Sequence, residues 1–443
     1  MNAAERIAGT GDDCTAVLAA SDSVVHLGGE SVPLKTLLAR GRARWQARPA
    51  HSLPALRGIG DVDMLSLLLA AIVDRRPALL CAADAIPPAP CDAVIGATDD
   101  AHDAAPASTV SIGWPDGLVV LSSGTLGTPK LIRHAHRDLL ATAAMAWQRL
   151  GLAADDRVLV TVPLHHMYGL GAALIPALLA GADVHLLPKA NLLGFNDALR
   201  AATPTWVFST PHLLRTLVQR KHTPVPGCRG LVLAGDGIPP PLHAHAQQLF
   251  GRVFDLYGSS ELGVIAISDA NRPQALRALD GVHVFLADAD AEQSTLVVVH
   301  PHAATHIVHE DTCRTVPRDW DTRDIAVFHD DGSFEIRGRA DLSLNRAGKL
   351  LVLADLERTI MAWPGVELAV AIVLDEDTTA GKAIAVAVQP SSPDLTLDRL
   401  KQHAADTLPV FARPDRYVLV AEVPRLGSGK PDRNTITKDH RHG

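Results

Sequence analysis

Long apolar runs are missing from this chain. The longest, over residues 64–73, falls short of the ~20 residues that a membrane-spanning helix needs. The N-terminus lacks the basic-then-apolar pattern of a secretory signal. A cytoplasmic protein with no membrane partner is therefore expected. Basic charge is also short: lysine and arginine total 41 against 49 aspartates and glutamates, a net charge of −8. Nucleic-acid binders normally carry a basic face, so no nucleic-acid partner is expected. Cysteine is sparse. Cys14, Cys81, Cys91, Cys228 and Cys313 show no CxxC spacing, which suggests neither a zinc site nor a disulfide framework. Free thiols in a reducing compartment are the simpler expectation. The 21 histidines are dispersed, and the closing HRHG reads as a frayed terminus.

What is present describes a soluble globular protein: 47% apolar residues and 20% charged. A chain of 443 residues exceeds one ordinary core, so two or more domains are expected. Residues 1–110 are Ala-rich. SVVHLGGESVPLKTLLARGRARWQAR reads as a hairpin and then an amphipathic helix from Leu34. DVDMLSLLLAAIVDRRPALLCAA reads as a helix and then a buried strand over 78–82, and IPPAP at 86–90 as a connector.

The rest is organised around LVVLSSGTLGTPKLIRH, residues 118–134. An apolar run that reads as a buried strand breaks at Ser122 into two glycines and several hydroxyl residues. Backbone amides approach a ligand closely where there is no Cβ, so such a loop can wrap a polyphosphate. It is not a Walker loop, because the glycine spacing differs and no Ser or Thr follows Lys130. Taken alone, a surface turn explains it equally well. Residues 136–150 then follow a helical period, stopped by Gly151. Strands are expected at 157–162, 184–187, 206–209 and 231–233, with helices at 195–202 and 211–219. Strand, helix, strand at this spacing implies an α/β sheet with parallel strands.

Two further motifs follow, the first directly after a strand, where open α/β sheets bind ligands. AGDGIPP places Gly235, Asp236 and Gly237 after a strand, although a tight turn accounts for them as well. FDLYGSSELG offers a flat ring at Tyr257 on which a base can stack. Gly258, Ser259 and Ser260 follow, and the Ser260 hydroxyl can bond a phosphate oxygen. Glu261 is a hard oxygen ligand suited to magnesium. Strands are expected over 282–286, 295–299, 325–329 and 334–336, with DDGS at 330–333 as a hairpin turn. Beyond residue 339 a small α+β domain is expected, with helices at 356–363 and 397–408 and strands at 366–374 and 382–388.

SSGTLGTPK closely resembles the phosphate-binding loop of the ANL superfamily, the adenylate-forming acyl-CoA synthetases, aryl-acid ligases and carrier-protein adenylation domains. The motif series continues in order from about residue 118 to 436, with Leu126 standing where a second Thr is usual. The resemblance implies an α/β fold. A large N-terminal adenylation domain over 1–338, shortened at its start, combines mixed α/β sheets with a small β-subdomain. A small mobile α+β lid over 339–443 turns on a hinge near Asp341. It assigns ATP to Ser122, Ser123, Gly124, Gly127, Lys130, Gly235, Asp236, Gly237 and the YGSS residues 257–260. Asp324 falls where the family binds the ribose, and Arg339 where it reaches ribose or phosphates. Arg323 replaces the usual Gly before that aspartate. Lys430 in GSGKPDR resembles the catalytic-lysine loop, so Lys430, Thr125, Glu261 and His166 are the catalytic candidates. His166 matches an aromatic or His at the acyl-pocket mouth. Gly348 and Glu357 also match, and Asn345 stands where many relatives have Lys.

The implied activity is an ATP- and Mg2+-dependent, AMP-forming acid–thiol ligase. It would activate a carboxylic acid, a small aryl or short acyl acid, as acyl-AMP. The acceptor would be the phosphopantetheine thiol of CoA or of an acyl carrier protein. Two other readings stay open: an amide-forming ligase, and a catalytically weak nucleotide-binding paralogue. Leu126, Ser260, Arg323 and the short N-terminal region favour the last; Glu261, Asp324, Arg339 and Lys430 oppose it.

Overall fold

The computed structural model describes residues 11–47, 53–83, 85, 91, 93–95, 117–122, 130–187, 191–218, 223–235, 238, 240–270, 272–289, 294–309, 312–379, 381–425 and 430–440. The chain divides into two compact units. One comprises Met1–Gly235, Ala246–His283 and Val299–Trp320; the other comprises Asp236–His245, Val284–Val298 and Asp321–Gly443.

In the first unit, short apolar runs bounded by turns become buried parallel strands, as such runs do when helices cover both faces. Val253–Ser259, Gly230–Ala234, Trp206–Ser209, Arg157–Val160, Asp183–Leu186 and Val24–Leu27 lie side by side in that order, each parallel to the next. Beyond Val253–Ser259 the sheet turns antiparallel through Gly263–Asp269 and Arg272–Ala278. A second sheet runs Ala93–Ile95, Pro54–Arg57, Ala78–Cys81 and Leu118–Ser122 in parallel. It then reverses into Lys130–His134, His306–His309 and Thr312–Thr315. The fold is therefore the expected α/β class with mixed sheets.

Helix Val62–Val73 is capped by Asp61, whose carboxylate accepts the Met64 N–H at 2.8 Å. Leu65, Leu67, Leu68 and Leu69 are all fully buried, and each contributes about 2 kcal/mol of hydrophobic stabilisation. This helix crosses Leu34–Gln46 closely. A Cβ on Gly41 would lie 2.0 Å from the Ser66 carbonyl oxygen, so only glycine fits. Helix His136–Leu150 buries Leu139, Leu140, Ala143 and Trp147 and ends at Gly151, whose φ of +67° suits a residue without Cβ.

In the second unit, residues 324–328 of strand Asp319–Phe328 pair antiparallel with Phe334–Arg339. Its turn is closed by the His329 N–H on the Ser333 carbonyl at 2.8 Å. Further on, Val366–Thr378 pairs antiparallel with Gly381–Pro390, and Arg416–Leu419 adds in parallel. This small sheet is apolar on both faces. Ala369, Ala371, Ile384, Val386 and Val388 pack with Leu356, Ile360 and Leu400 of helices Leu353–Met361 and Leu397–Thr407. Val370, Ile372, Ala385 and Ala387 pack on the other side with Val423 and Ile436.

The sequence pattern misses Arg272–Ala278, the pair His306–His309 with Thr312–Thr315, and the hairpin of Ser343–Arg346 with Lys349–Val352. Thr312–Thr315 is exposed at every residue, so no buried face marks it. The 343–352 hairpin is specified by its turn: Ala347 and Gly348 have φ of +49° and +78°, a left-handed pair suited to a tight hairpin.

Candidate functional site

Ser122 ends strand Leu118–Ser122 and Lys130 begins strand Lys130–His134, and the two are register partners across the antiparallel ladder. Both ends of the SSGTLGTPK motif are thus fixed at one point of the first unit. Ser123, Gly124, Thr125 and Gly127 lie outside the described residues.

Strand Lys130–His134 carries the motif to its neighbour. His134 is buried, and its Nε2–H donates to the Ser260 carbonyl at 2.8 Å. Burial lowers its pKa to about 4, with the bond to Ser260 opposing, so the ring is neutral near pH 7. The next carbonyl, that of Glu261, accepts the Ala304 N–H at 2.8 Å. Two consecutive carbonyls are therefore held from the protein side, while the Glu261 side chain stays partly exposed.

Tyr257, Gly258 and Ser259 form the end of strand Val253–Ser259. The ladder with Gly263–Asp269 slips between Tyr257 and Gly258. A Cβ on Gly258 would lie 2.3 Å from the Gly263 carbonyl oxygen, so the tight return requires glycine. The Ser259 hydroxyl accepts the Leu262 N–H at 3.1 Å and fixes the turn around Ser260 and Glu261. On the adjacent parallel strand, Ala234 pairs with Leu256. Gly235, with φ of +107°, is one step further and level with Tyr257. Asp236 and Gly237 lie outside the described residues.

His166 lies where the PLHHMYGLG segment enters a π-helical stretch, Tyr168–Leu174. Its ring centroid is 4.2 Å from that of His165. A Cβ on Gly169 would meet the Pro163 carbonyl oxygen at 2.4 Å, so this wide turn needs glycine. The buried Tyr168 hydroxyl reaches the Ser209 carbonyl at 2.9 Å and the Val232 carbonyl at 2.8 Å. Burial raises its pKa well above the usual phenol range. Tyr168 thereby ties the segment to the ends of two parallel strands.

In the second unit, Asp324 and Arg339 are register partners, with Arg339 Nη1 3.4 Å from Asp324 Oδ1. Arg339 Nε donates to Asp341 Oδ1 at 2.9 Å, so these three expected site residues stand together. Arg323 has φ of +61°, a left-handed conformation that explains why the motif it resembles uses glycine there. Lys430 is exposed, beside a bridge between Arg425 and Pro431.

Two residues were not legible as site candidates. His134 ends the short strand Lys130–His134, and only its bond to the Ser260 carbonyl brings it beside that turn. Asp255, half-buried two residues before Tyr257, has its carboxyl pushed up to about 7 by desolvation. No spacing rule marks either one.

A family model described as AMP-binding enzyme matches residues 11–322, and a second, AMP-binding enzyme C-terminal domain, matches residues 355–430. Among characterised proteins, the chain is 27% identical over 354 residues to a sulfoacetate–CoA ligase of Cupriavidus necator, covering 75% of this chain and 69% of that one. It is 26% identical over 343 residues to a 3-hydroxybenzoate–CoA ligase of an Aromatoleum strain, covering 70% and 64%. The alignments thus span about two thirds of these relatives' length. In fold it is similar to ATP-bound MatB of Rhodopseudomonas palustris, with a TM-score of 0.81, 17% identity, and coverage of 98% of this chain and 99% of that one. The anthranilate CoA ligase AuaEII with anthranoyl-AMP gives a TM-score of 0.81 at 17% identity, with coverage of 99% of each.

Proposed function

The chain belongs to the AMP-binding enzyme family, and from that premise we propose that it is an ATP-dependent, AMP-forming acid–thiol ligase. The observation that carries the reading is the bond from His134 to Ser260. It joins the strand leaving the SSGTLGTPK motif to the YGSSE turn, so the two motifs are tied through one strand, with His134 at the end opposite Lys130.

A carboxylic acid does not acylate a thiol at neutral pH, because hydroxide is a poor leaving group. Attack of the carboxylate oxygen on the α-phosphorus of ATP forms a P–O bond and expels pyrophosphate. Both reactants are anionic, so the protein must neutralise charge and fix geometry. Gly235 and Tyr257, level at neighbouring strand ends, form the two walls of an adenine slot. Asp324 accepts from the ribose hydroxyls, and Arg339 beside it faces ribose or phosphate. Glu261 suits a magnesium ion: it is a hard oxygen donor, partly exposed, on a backbone pinned by His134 and Ala304. The ion would neutralise phosphate charge there. Lys430 bridges the incoming carboxylate and the α-phosphate. The thiol of CoA, or of a phosphopantetheine carrier, then attacks the acyl carbon; AMP leaves and the thiol proton passes to solvent.

The acid is a small aryl or short acyl acid, in keeping with the hydroxybenzoate–CoA ligase among the relatives. A magnesium requirement and a cytoplasmic setting suit these substrates. We take 1–338 as the adenylation domain and 339–443 as the lid, with the hinge at Asp341 in the short turn Ala340–Leu342.

The test is acid-dependent pyrophosphate release with ATP and magnesium, run without thiol over aryl and aliphatic acids, then with CoA or a carrier protein added. Release confined to one acid class supports the reading and names the substrate. ATP binding with no release from any acid counts against it. Lys430→Ala should abolish release and leave ATP binding nearly intact.

A further inference from the structure

We infer that the Glu357–Arg433 pair is the positioning element that sets Lys430 for adenylate formation; the inference rests on the role proposed above for Lys430. Lys430 is exposed. The backbone beside it is held tightly. Arg425 bridges Pro431 in antiparallel fashion, and the Asp432 N–H donates to the Pro424 carbonyl at 2.8 Å. Asp432 then opens helix Arg433–His440, its carboxylate accepting the Thr435 N–H at 3.1 Å and the Thr435 hydroxyl at 2.8 Å.

Arg433, three residues after Lys430, turns inward. Its Nη1 lies 2.6 Å from Glu357 Oε1 and its Nη2 3.0 Å from Oε2, a two-pronged pairing. It also donates to the Ala371 carbonyl. Glu357 is buried on helix Leu353–Met361 and accepts the Ala371 N–H at 2.6 Å. One carboxylate thus fastens a helix, the middle of strand Val366–Thr378 and the root of the Lys430 turn. A forked guanidinium on a carboxylate fixes direction as well as distance. A buried ion pair adds little net stability over an apolar pair of similar volume. Its place at the foot of the lysine turn points to a role in placing that turn, beside the hold of Glu357 on the strand.

The experiment separates two half-reactions in Glu357→Gln, Arg433→Lys and Lys430→Ala. Acid-dependent pyrophosphate release reads adenylation. Thioester formation from purified acyl-adenylate and CoA reads transfer, which does not need the lysine. Thermal unfolding of each variant fixes the assay temperature below every transition. We expect Glu357→Gln and Arg433→Lys to lose roughly 10- to 100-fold in adenylation kcat, the scale of a displacement of about 1 Å. Transfer should stay within about threefold, and Glu357→Gln on top of Lys430→Ala should cost no more than Lys430→Ala alone, as for residues acting as a unit. An equal loss in both half-reactions, which a loosened domain would give, overturns the inference. So does unchanged adenylation in both variants. Full adenylation in Lys430→Ala instead removes the role of the lysine itself, and the inference with it.

Discussion

His134 and Ser260 are joined by a 2.8 Å hydrogen bond whose donor must stay uncharged to remain buried. The unfolded chain returns that ring to the ordinary histidine range, near 6.5. Between about pH 6.5 and 4 the unfolded state binds the proton and the folded state does not. Stability is therefore complete above pH 6.5 and falls as pH is lowered through this window. His300, also lowered to about 4 by burial, adds in the same direction. For His134 alone the loss is about 2 kcal/mol at pH 5, from ~1.4 kcal/mol per pH unit. Urea midpoints at pH 7.5 and pH 5 should show it, and His134→Gln should flatten the difference. A pH-independent midpoint in the unaltered protein would contradict a neutral buried His134.

The left-handed backbone of Arg323 gives a second prediction. An L-residue in that conformation is strained by ~1–2 kcal/mol, part of which glycine's extra chain entropy takes back. Arg323→Gly should be neutral or more stable by up to about 1 kcal/mol, with an unchanged KM for ATP. Arg323→Val should lower the melting temperature. A clearly destabilised glycine variant would show that the guanidinium contributes more than the backbone costs.

Gly258 should not tolerate a methyl group. With the Gly263 carbonyl oxygen 2.3 Å from the position of a Cβ, the turn carrying Ser260 and Glu261 must move. A shift of about 1 Å at such a site costs about 100-fold in rate. Gly258→Ala should lower pyrophosphate release by that order while the folded fraction, read by circular dichroism, stays high. Activity within twofold of the parent would refute the steric argument.

Tyr168→Phe removes the donor shared by the Ser209 and Val232 carbonyls. Leaving buried acceptors unpaired costs about 1–3 kcal/mol. Lower stability and a higher KM for the acid, with KM for ATP little changed, are expected from denaturation and steady-state kinetics. Equal shifts in both KM values would place Tyr168 outside the acid's surroundings.

Much of this was legible before any coordinates. Trp206–Ser209 forms just where the apolar run ends, because a buried parallel strand needs only that run and its flanking turns. Tyr257–Glu261, Asp324 and Lys430 stand out in the sequence because each lies in a segment that resembles a motif of adenylate-forming enzymes. His134 and Asp255 do not, since their neighbours come from strand pairing and not from sequence distance. The π-helical stretch at Tyr168–Leu174 is equally silent: no residue period announces it, and its need for Gly169 appears only once Pro163 is seen beneath it.

The small sheet of the second unit, apolar on both faces, has a consequence for how its strands find one another. In a one-sided sheet a slip by one residue throws the greasy face into water, and burial alone punishes the error. Here Ala369, Val370, Ala371 and Ile372 alternate between two equally dry sides, so a slipped pairing would hide nearly as much surface. Alignment must come from groups that cannot be exchanged. The Asp415 carboxylate accepts the Ile384 N–H at 2.8 Å, and that of Glu357 accepts the Ala371 N–H at 2.6 Å; each addresses one residue of its strand and no other. These two acids act as index pins, and losing either should let alternative pairings compete during folding.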